Sequence, residues 1–331
     1  MPWVIVGATG FVGSAVLRAA QDAGVEATGI AAPRLASDAT SAGQILDEAA
    51  RHPSVAGLAA ALSGASVVVN AAGVAAPRSA DTAELRGANA LLPAVLAYAC
   101  SAARVDRLIH LSSAAVQGQR EVLDESFDLA PFSAYSRSKA LGEEALRLTV
   151  GRGGVEGTHP VVVRATSVQG ADRPTTAALA RLAASPLASV AAPGTASTPV
   201  TSVESLADYV VQVGSFAGPL PAVILQPSEG MTVRSVLEAA GGTPMVLPRS
   251  LCRFILRAGY QMSALLSERL HGSLRRVELM WFGQAQDPGW AEAHNIRVEH
   301  RVSGVLEAAG SRRRQGRAGR NRQNRQERQV P

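Results

Sequence analysis

Trp3-Val4-Ile5-Val6-Gly7-Ala8-Thr9-Gly10-Phe11-Val12-Gly13 decides the fold of this chain. Its first four residues read as a buried strand. The glycines read as a turn, and Ala15, Val16, Leu17 and Ala20 then supply the apolar positions of a helix. Gly7 permits a tight turn, Gly10 lets the backbone approach a pyrophosphate, and Gly13 lets helix and strand pack closely. The helix start offers unpaired N–H groups and a positive dipole end to phosphate oxygens. A glycine motif alone is weak, but this one sits between a strand and a helix, the setting it requires. The loop, with Thr9, Phe11 and Val12 among its glycines, is therefore a candidate dinucleotide cradle.

Outward from this unit, strand and helix patterns alternate. Strands are expected near 3–6, 25–31, 66–70, 107–112, 160–165 and 222–226. Helices are expected near 11–23, 43–51, 55–63, 83–103, 133–150, 203–214 and 232–240. Alternation of this kind predicts an α/β fold, a doubly wound parallel sheet of the Rossmann type with helices on both faces. Residues 1–170 form the expected dinucleotide-binding domain, with 200–230 returning to it. The Ala-, Pro-, Ser- and Thr-rich stretch 171–199 and the helical stretch 231–310 form a smaller, discontinuous substrate domain. No repeat of solenoid length is visible.

The chain has a single lysine, Lys139, among 32 basic residues. It lies four residues after a tyrosine, in Tyr135-Ser136-Arg137-Ser138-Lys139, so the two side chains share one helix face. Arginine is a broad planar fork, whereas lysine is a compact ammonium on a thin stem. Lysine suits a tight site where a cation must contact a ribose and hold down the pKa of a neighbouring phenol.

With these two features the chain resembles the extended branch of the short-chain dehydrogenase/reductase superfamily, the NAD-dependent epimerase/dehydratase family. Val67-Val68-Val69-Asn70-Ala71-Ala72-Gly73 is similar to the strand and loop beside the adenine ribose. Leu108-Ile109-His110-Leu111-Ser112-Ser113-Ala114-Ala115-Val116 is similar to the strand that ends in the catalytic serine. The resemblance covers roughly residues 3–230. It implies Tyr135 as general acid/base, Lys139 as ribose ligand and phenol-activating cation, and Ser113, rather than Ser112, as the group that orients the substrate oxygen. It also implies cofactor contacts from Asn70, Ala71, Ala72, Gly73 and Arg164.

The family's sugar dehydratases carry an Asp-Glu pair just after the serine, where this chain has Ala114 and Ala115. Dehydration is not expected, which leaves reduction, oxidation or epimerisation. After the second strand the chain reads Gly29-Ile30-Ala31-Ala32-Pro33-Arg34, with no carboxylate for a ribose 2′-hydroxyl. Arg34 is placed to bind a 2′-phosphate, so NADP is expected, with NAD possible. The leading expectation is an NADP-dependent ketoreductase of a nucleotide-activated keto-sugar. Alternatives are a sugar epimerase, a reductase of a non-nucleotide ketone, and a non-catalytic dinucleotide-binding protein. Against the nucleotide-sugar pattern, Ser167 stands in an Asn position and no arginine precedes the Val203 segment. Arg275 and Arg276 are the substitute candidates for a diphosphate. Phe127, Phe132, Phe282, Trp281 and Trp290 are expected in the core or along a pocket.

Formal net charge is +5, but residues 312–331 carry eight arginines and one glutamate, leaving the body at −2. The high isoelectric point belongs to this tail. With almost no apolar residues, 311–331 is expected to be disordered, and any nucleic-acid contact it makes to be nonspecific. Cys100 and Cys252 have no metal-like spacing and are expected as free, buried thiols; no metal is expected. No apolar run is long enough to span a bilayer, and no secretion signal opens the chain, so no membrane partner and a cytoplasmic location are expected. The resemblance implies a homodimer built on the helices near 83–103 and 133–150.

Overall fold

The computed structural model describes residues 2–74, 80–151, 155–265 and 271–327. Strands β1 (Trp3–Val6), β2 (Ala27–Ile30), β3 (Val67–Asn70) and β4 (Arg107–Ser113) join His159–Ala165 and Val223–Leu225 in one sheet. Every pairing in it is parallel. Its order is Val223–Leu225, His159–Ala165, β4, β3, β1, β2. β1 and β3 are buried along their whole length, which is why they read as unbroken apolar runs. The strand order reverses between β1 and β3, and in such sheets ligands bind outside the carboxyl ends of the strands at that switch point. The glycine loop after β1 and the Asn70–Gly73 segment after β3 both emerge there.

Helix α1 (Phe11–Asp22) buries Gly13, Ala15, Val16 and Ala20 against the sheet. Helices α2 (Ala42–Ala49) and α3 (Ser54–Ala61) follow β2, and a Ser41–Gln44 capping box starts the first of them. The single helix expected over 83–103 is broken. It runs as Ala83–Arg86, a π-helical turn at Gly87–Leu91, and Leu92–Ala103. Cys100 lies inside it, its thiol pushed up to about 12 by burial, and Cys252 is likewise free and buried.

The expected dimer seam meets an obstacle here. Ile45, Ala49, Leu58 and Leu62 from the α2–α3 region share one apolar cluster with Leu91, Leu92, Val95, Leu96, Ala145 and Leu146. The chain's own helices thus cover the Leu92–Ala103 helix, in which every residue from Leu92 to Ala97 is buried. The Ala134–Gly151 helix keeps only a narrow exposed stripe with Arg137, Glu144 and Arg147. The apolar surface that these two helices would offer a second copy is thus largely packed within the chain.

The chain divides into two units. The first comprises Met1–Thr166, Val203–Pro227 and Gln286–Val298. Gln286–Val298 was expected in the substrate domain. It joins the first unit because Glu125 accepts from Leu225 N at 3.0 Å and from Trp290 N at 2.9 Å, while Trp290 packs edge-on against Phe216. The second unit comprises Ser167–Ser202, Ser228–Ala285 and Glu299–Pro331. Two short parallel pairs, Ser167–Gln169 with Val200–Ser202 and Ser189–Ala191 with Met245–Leu247, support helices including Pro174–Ala183, Val233–Ala239, Arg249–Leu265 and His271–Phe282.

The second unit also holds a helix from Val302 to Glu327, where disorder was expected from 311 onward. Buried Glu229 accepts from Val302 N at 2.6 Å and from Ser202 N at 2.6 Å. That places a carboxylate on the positive end of the helix. Val302 and Leu306 then anchor its first turns in the core. Residues 328–331 of the expected tail lie outside the described residues.

Ile45 is fully buried between α2 and the helices beneath it. Ile45→Ala is expected to cost about 2–5 kcal/mol in a denaturant melt. A loss under about 0.5 kcal/mol, the range of an ordinary surface site, would show that α2 is not part of the core.

Candidate functional site

The glycine loop is shaped by contacts that exclude side chains. Gly7 has φ of +82°, and a Cβ there would lie 2.9 Å from Ala72 N. A Cβ on Gly13 would lie 2.1 Å from Gly7 O, so helix and strand meet only because it is absent. Gly10 N donates to Gly7 O at 2.9 Å, which closes the turn. Gly10 caps α1 without a side-chain hydrogen bond, and the first turn has no acidic residue. Thr9, Gly10 and Phe11 are exposed there and Val12 is half-buried. Amide groups at a helix start that no side chain caps, approached over bare backbone, fit the phosphates of a dinucleotide.

Beside it, Ala71 N donates to Val6 O at 3.0 Å, and Ala72 N donates to Asn70 Oδ1 at 3.1 Å. Since a backbone N–H only donates, the Asn70 oxygen faces Ala72 and its amide nitrogen faces His110 Nδ1, at 3.0 Å. His110 Nδ1 must accept, so the proton of the neutral ring sits on Nε2. Burial, and then the charge of Lys139, hold His110 well below its ordinary pKa. Asn70 is thus a structural post under the Ala71–Ala72–Gly73 loop.

Lys139 rises from the second turn of the Ala134–Gly151 helix and is almost wholly buried. Its Nζ donates to Leu111 O at 3.0 Å, two residues before Ser113. A Cβ on Gly73 would lie 3.0 Å from that Nζ, so the ammonium opens toward the loop after β3. Burial lowers the Lys139 pKa to about 8, and the Glu143 carboxylate opposes that shift. Tyr135 lies one turn earlier on the same helix, half-buried. Of the two serines ending β4, Ser112 is buried and donates to Glu143 at 2.5 Å. Ser113 is half-buried and accepts from Ala115 N at 3.2 Å. Ser113, unlike Ser112, keeps part of its surface open.

Arg164 is not where the resemblance put it. Its guanidinium is fully buried and donates to Glu143 at 2.7 Å, to Asp124 O at 2.9 Å and to Ser126 O at 2.7 Å. No cofactor reaches a group enclosed in this way, so Arg164 braces the loop that follows β4. The sequence reading also overlooked Asn89. It sits on the π turn, fully buried. Its Oδ1 accepts from Val74 N at 3.0 Å, and its Nδ2 donates to Val74 O at 3.1 Å and to Ser138 Oγ at 3.0 Å. Ser138 Oγ in turn donates to Tyr135 O at 2.8 Å. Asn89 therefore ties the loop after β3 to the turn bearing Tyr135. Its signal was a lone amide in the apolar run Gly87-Ala88-Asn89-Ala90-Leu91.

Arg34 is exposed on the loop after β2. In the second unit Arg275 pairs with Glu278 at 2.9 Å. Arg276 lines a cavity of about 250 Å³ with Ser167, Gln169, Val200, Met280 and Gln284. Trp281 and Trp290 are buried, Phe127 lies under Arg147 at 5.5 Å, and Phe282 lies under Arg249 at 5.2 Å. Among the described residues no cluster of His, Cys, Asp and Glu could hold a metal ion.

Gly7→Ala is expected to abolish dinucleotide binding in a calorimetric titration; binding at undiminished affinity would remove the loop from the site. The Lys139 pKa, lowered on folding, gives a second outcome. Below pH 8 the ammonium is charged in both states, and its burial opposes folding. Between pH 8 and about 10.4, the ordinary lysine value, the folded chain releases the proton first. The natural chain should therefore gain roughly 3 kcal/mol relative to Lys139→Met across that window. Parallel stability curves for the two proteins would show that the ammonium is not desolvated.

The sequence profile of the NAD dependent epimerase/dehydratase family matches residues 3–211. No curated protein matches the chain. Among solved structures, UDP-glucuronic acid 4-epimerase from Bacillus cereus in complex with NAD is 17% identical, with a TM-score of 0.63 over 93% of this chain and 94% of that one. UDP-glucose 4-epimerase from Thermus thermophilus in complex with NAD is 18% identical, with a TM-score of 0.59 over 94% and 98%. A human epimerase family protein with NADPH is 17% identical, with a TM-score of 0.58 over 94% and 99%. A glycine cradle at the sheet's switch point, a buried lysine one turn after a tyrosine, and a profile match over more than half the length agree: this chain is an enzyme that uses a nicotinamide dinucleotide, and it belongs to the NAD-dependent epimerase/dehydratase family.

Proposed function

We propose that this enzyme reduces a keto group on a nucleotide-activated sugar, with NADPH as hydride donor. The observation that carries the reading is the chain's one lysine. It is buried, fixed to Leu111 O and open toward Gly73, one helical turn from Tyr135 and beside the strand end that carries Ser113. When bound, the dinucleotide supplies the hydride. Ser113 Oγ hydrogen-bonds the substrate oxygen and orients the carbonyl. The Tyr135 phenol delivers a proton to that oxygen, and the resulting phenolate is stabilised by the Lys139 cation. Lys139 also holds the nicotinamide ribose. Ala114 and Ala115 stand where dehydratases have their acid and base, so the chain has no group there to expel water.

Arg34, exposed after β2 on a loop segment without a carboxylate, supports NADP. A second reading is favoured by a solved relative, the UDP-glucuronic acid 4-epimerase from Bacillus cereus in complex with UDP-glucuronic acid and NAD. In this epimerase reading Tyr135 takes the carbinol proton and later returns it to the same oxygen, with Ser113 and Lys139 in the roles given above, while a bound dinucleotide would accept the hydride and give it back to the opposite face of the carbon.

Denaturing the purified protein and assaying released dinucleotide separates the two. Little bound cofactor, with saturable NADPH binding to the emptied site, is the expected result. Near-stoichiometric NAD would replace the reductase with the epimerase. Tyr135→Phe should lower turnover roughly 10²–10⁴-fold while leaving cofactor affinity in place; full turnover would end the mechanism. Arg34→Asp should shift preference from NADPH toward NADH, and an unchanged affinity ratio would take Arg34 out of the phosphate site.

A further inference from the structure

The Arg249–Leu265 helix of the second unit has two apolar faces, and only one is packed. Cys252 and Leu256 point inward into a cluster with Trp281 and Ala191. On the other side Leu251, Phe254, Ile255, Met262 and Leu265 are exposed, Phe254 by 70% and Leu265 by 86%. Leu251, Ile255, Ala258, Met262 and Leu265 follow one another at spacings of four, three, four and three, which makes a single stripe along the helix. Met245 and Val246, on the strand just before, are exposed by about half as well.

The charge on this helix has one sign. Arg249, Arg253 and Arg257 are its charged residues, and it has no aspartate or glutamate. Arg253 and Arg257 are exposed on the polar face beside the stripe, while Arg249 stacks over Phe282. A helix with arginines along its polar face and Phe, Ile, Leu and Met on the other is suited to lie in a bilayer interface, with its apolar side among acyl chains and its cations at anionic headgroups. No helix among the described residues is long and apolar enough to cross a membrane, so the contact is a monotopic one. A second copy fits the charge less well. A two-fold pairing of the stripe would set arginine rim against arginine rim, with no acid on the helix to answer it.

We propose that the outward face of the Arg249–Leu265 helix docks the second unit onto an anionic lipid surface. The inference rests on the exposed stripe and its arginines and does not depend on which reaction the first unit catalyses.

The full chain should co-sediment with vesicles of phosphatidylglycerol and phosphatidylcholine in equal parts, and much less with phosphatidylcholine alone. Added salt should weaken the binding. Phe254→Asp and Met262→Asp change exposed side chains, so melting temperature and NADPH binding should hold while vesicle binding falls roughly tenfold or more. Arg253→Glu with Arg257→Glu should weaken only the anionic component. Absence of vesicle binding by the natural chain would overturn the proposal. Undiminished binding by the Asp variants would overturn it too, since attraction through the C-terminal arginines would explain that result. A dimer by light scattering that Phe254→Asp converts to monomer would assign the stripe to a second copy instead.

Discussion

The first unit depends on one buried carboxylate. Glu143 accepts from Ser112 and Arg164, which come from two adjacent strands, and it lies one turn beyond Lys139. A buried pair of this kind contributes little net stability, but breaking it strands a charge inside the protein. Its value is positional. Ser112 held by Glu143 and Leu111 O held by Lys139 fix β4 to the Ala134–Gly151 helix at two successive residues. Ser113 is therefore delivered to the open side with little freedom. Arg164 extends the clamp to Asp124 and Ser126, so the loop after β4 is held by the same charge.

The pKa pattern follows from this arrangement. Burial disfavours the Lys139 ammonium, and Glu143 partly restores it. His110 shows the opposite outcome nearby. It is buried beside the same cation without a carboxylate of its own, so it is neutral and serves as a hydrogen-bond acceptor for Asn70.

Much of this was legible in the sequence. The sheet strands were readable because residues buried on both faces must be apolar, and each strand boundary lies within two residues of its expected place. The glycine loop was readable because a Cβ is impossible at Gly7 and Gly13. What stayed hidden depended on distant partners. The pairing of Arg164 with Glu143 joins residues 21 apart on a strand and a helix, and no local pattern encodes it. The three-residue strands of the second unit are too short to show a period. The helix at Val302–Glu327 depends on Glu229, more than seventy residues earlier, and composition alone reads as a solvated tail. The cover of α2 and α3 over the Leu92–Ala103 helix is likewise a tertiary fact that no local pattern encodes.

The π turn at Gly87–Leu91 makes chain length itself a constraint on the site. A π turn holds one residue more than an α turn would. Removing that residue and relaxing the segment to α-helix would leave the helix before and after it in nearly the same rotational phase, because the surplus residue is wound into the same turn. The buried run from Leu92 onward would keep its packing, while the residues inside the turn would change direction and Asn89 would swing away from Val74 and Ser138. The surplus residue therefore serves the loop after β3 rather than the core.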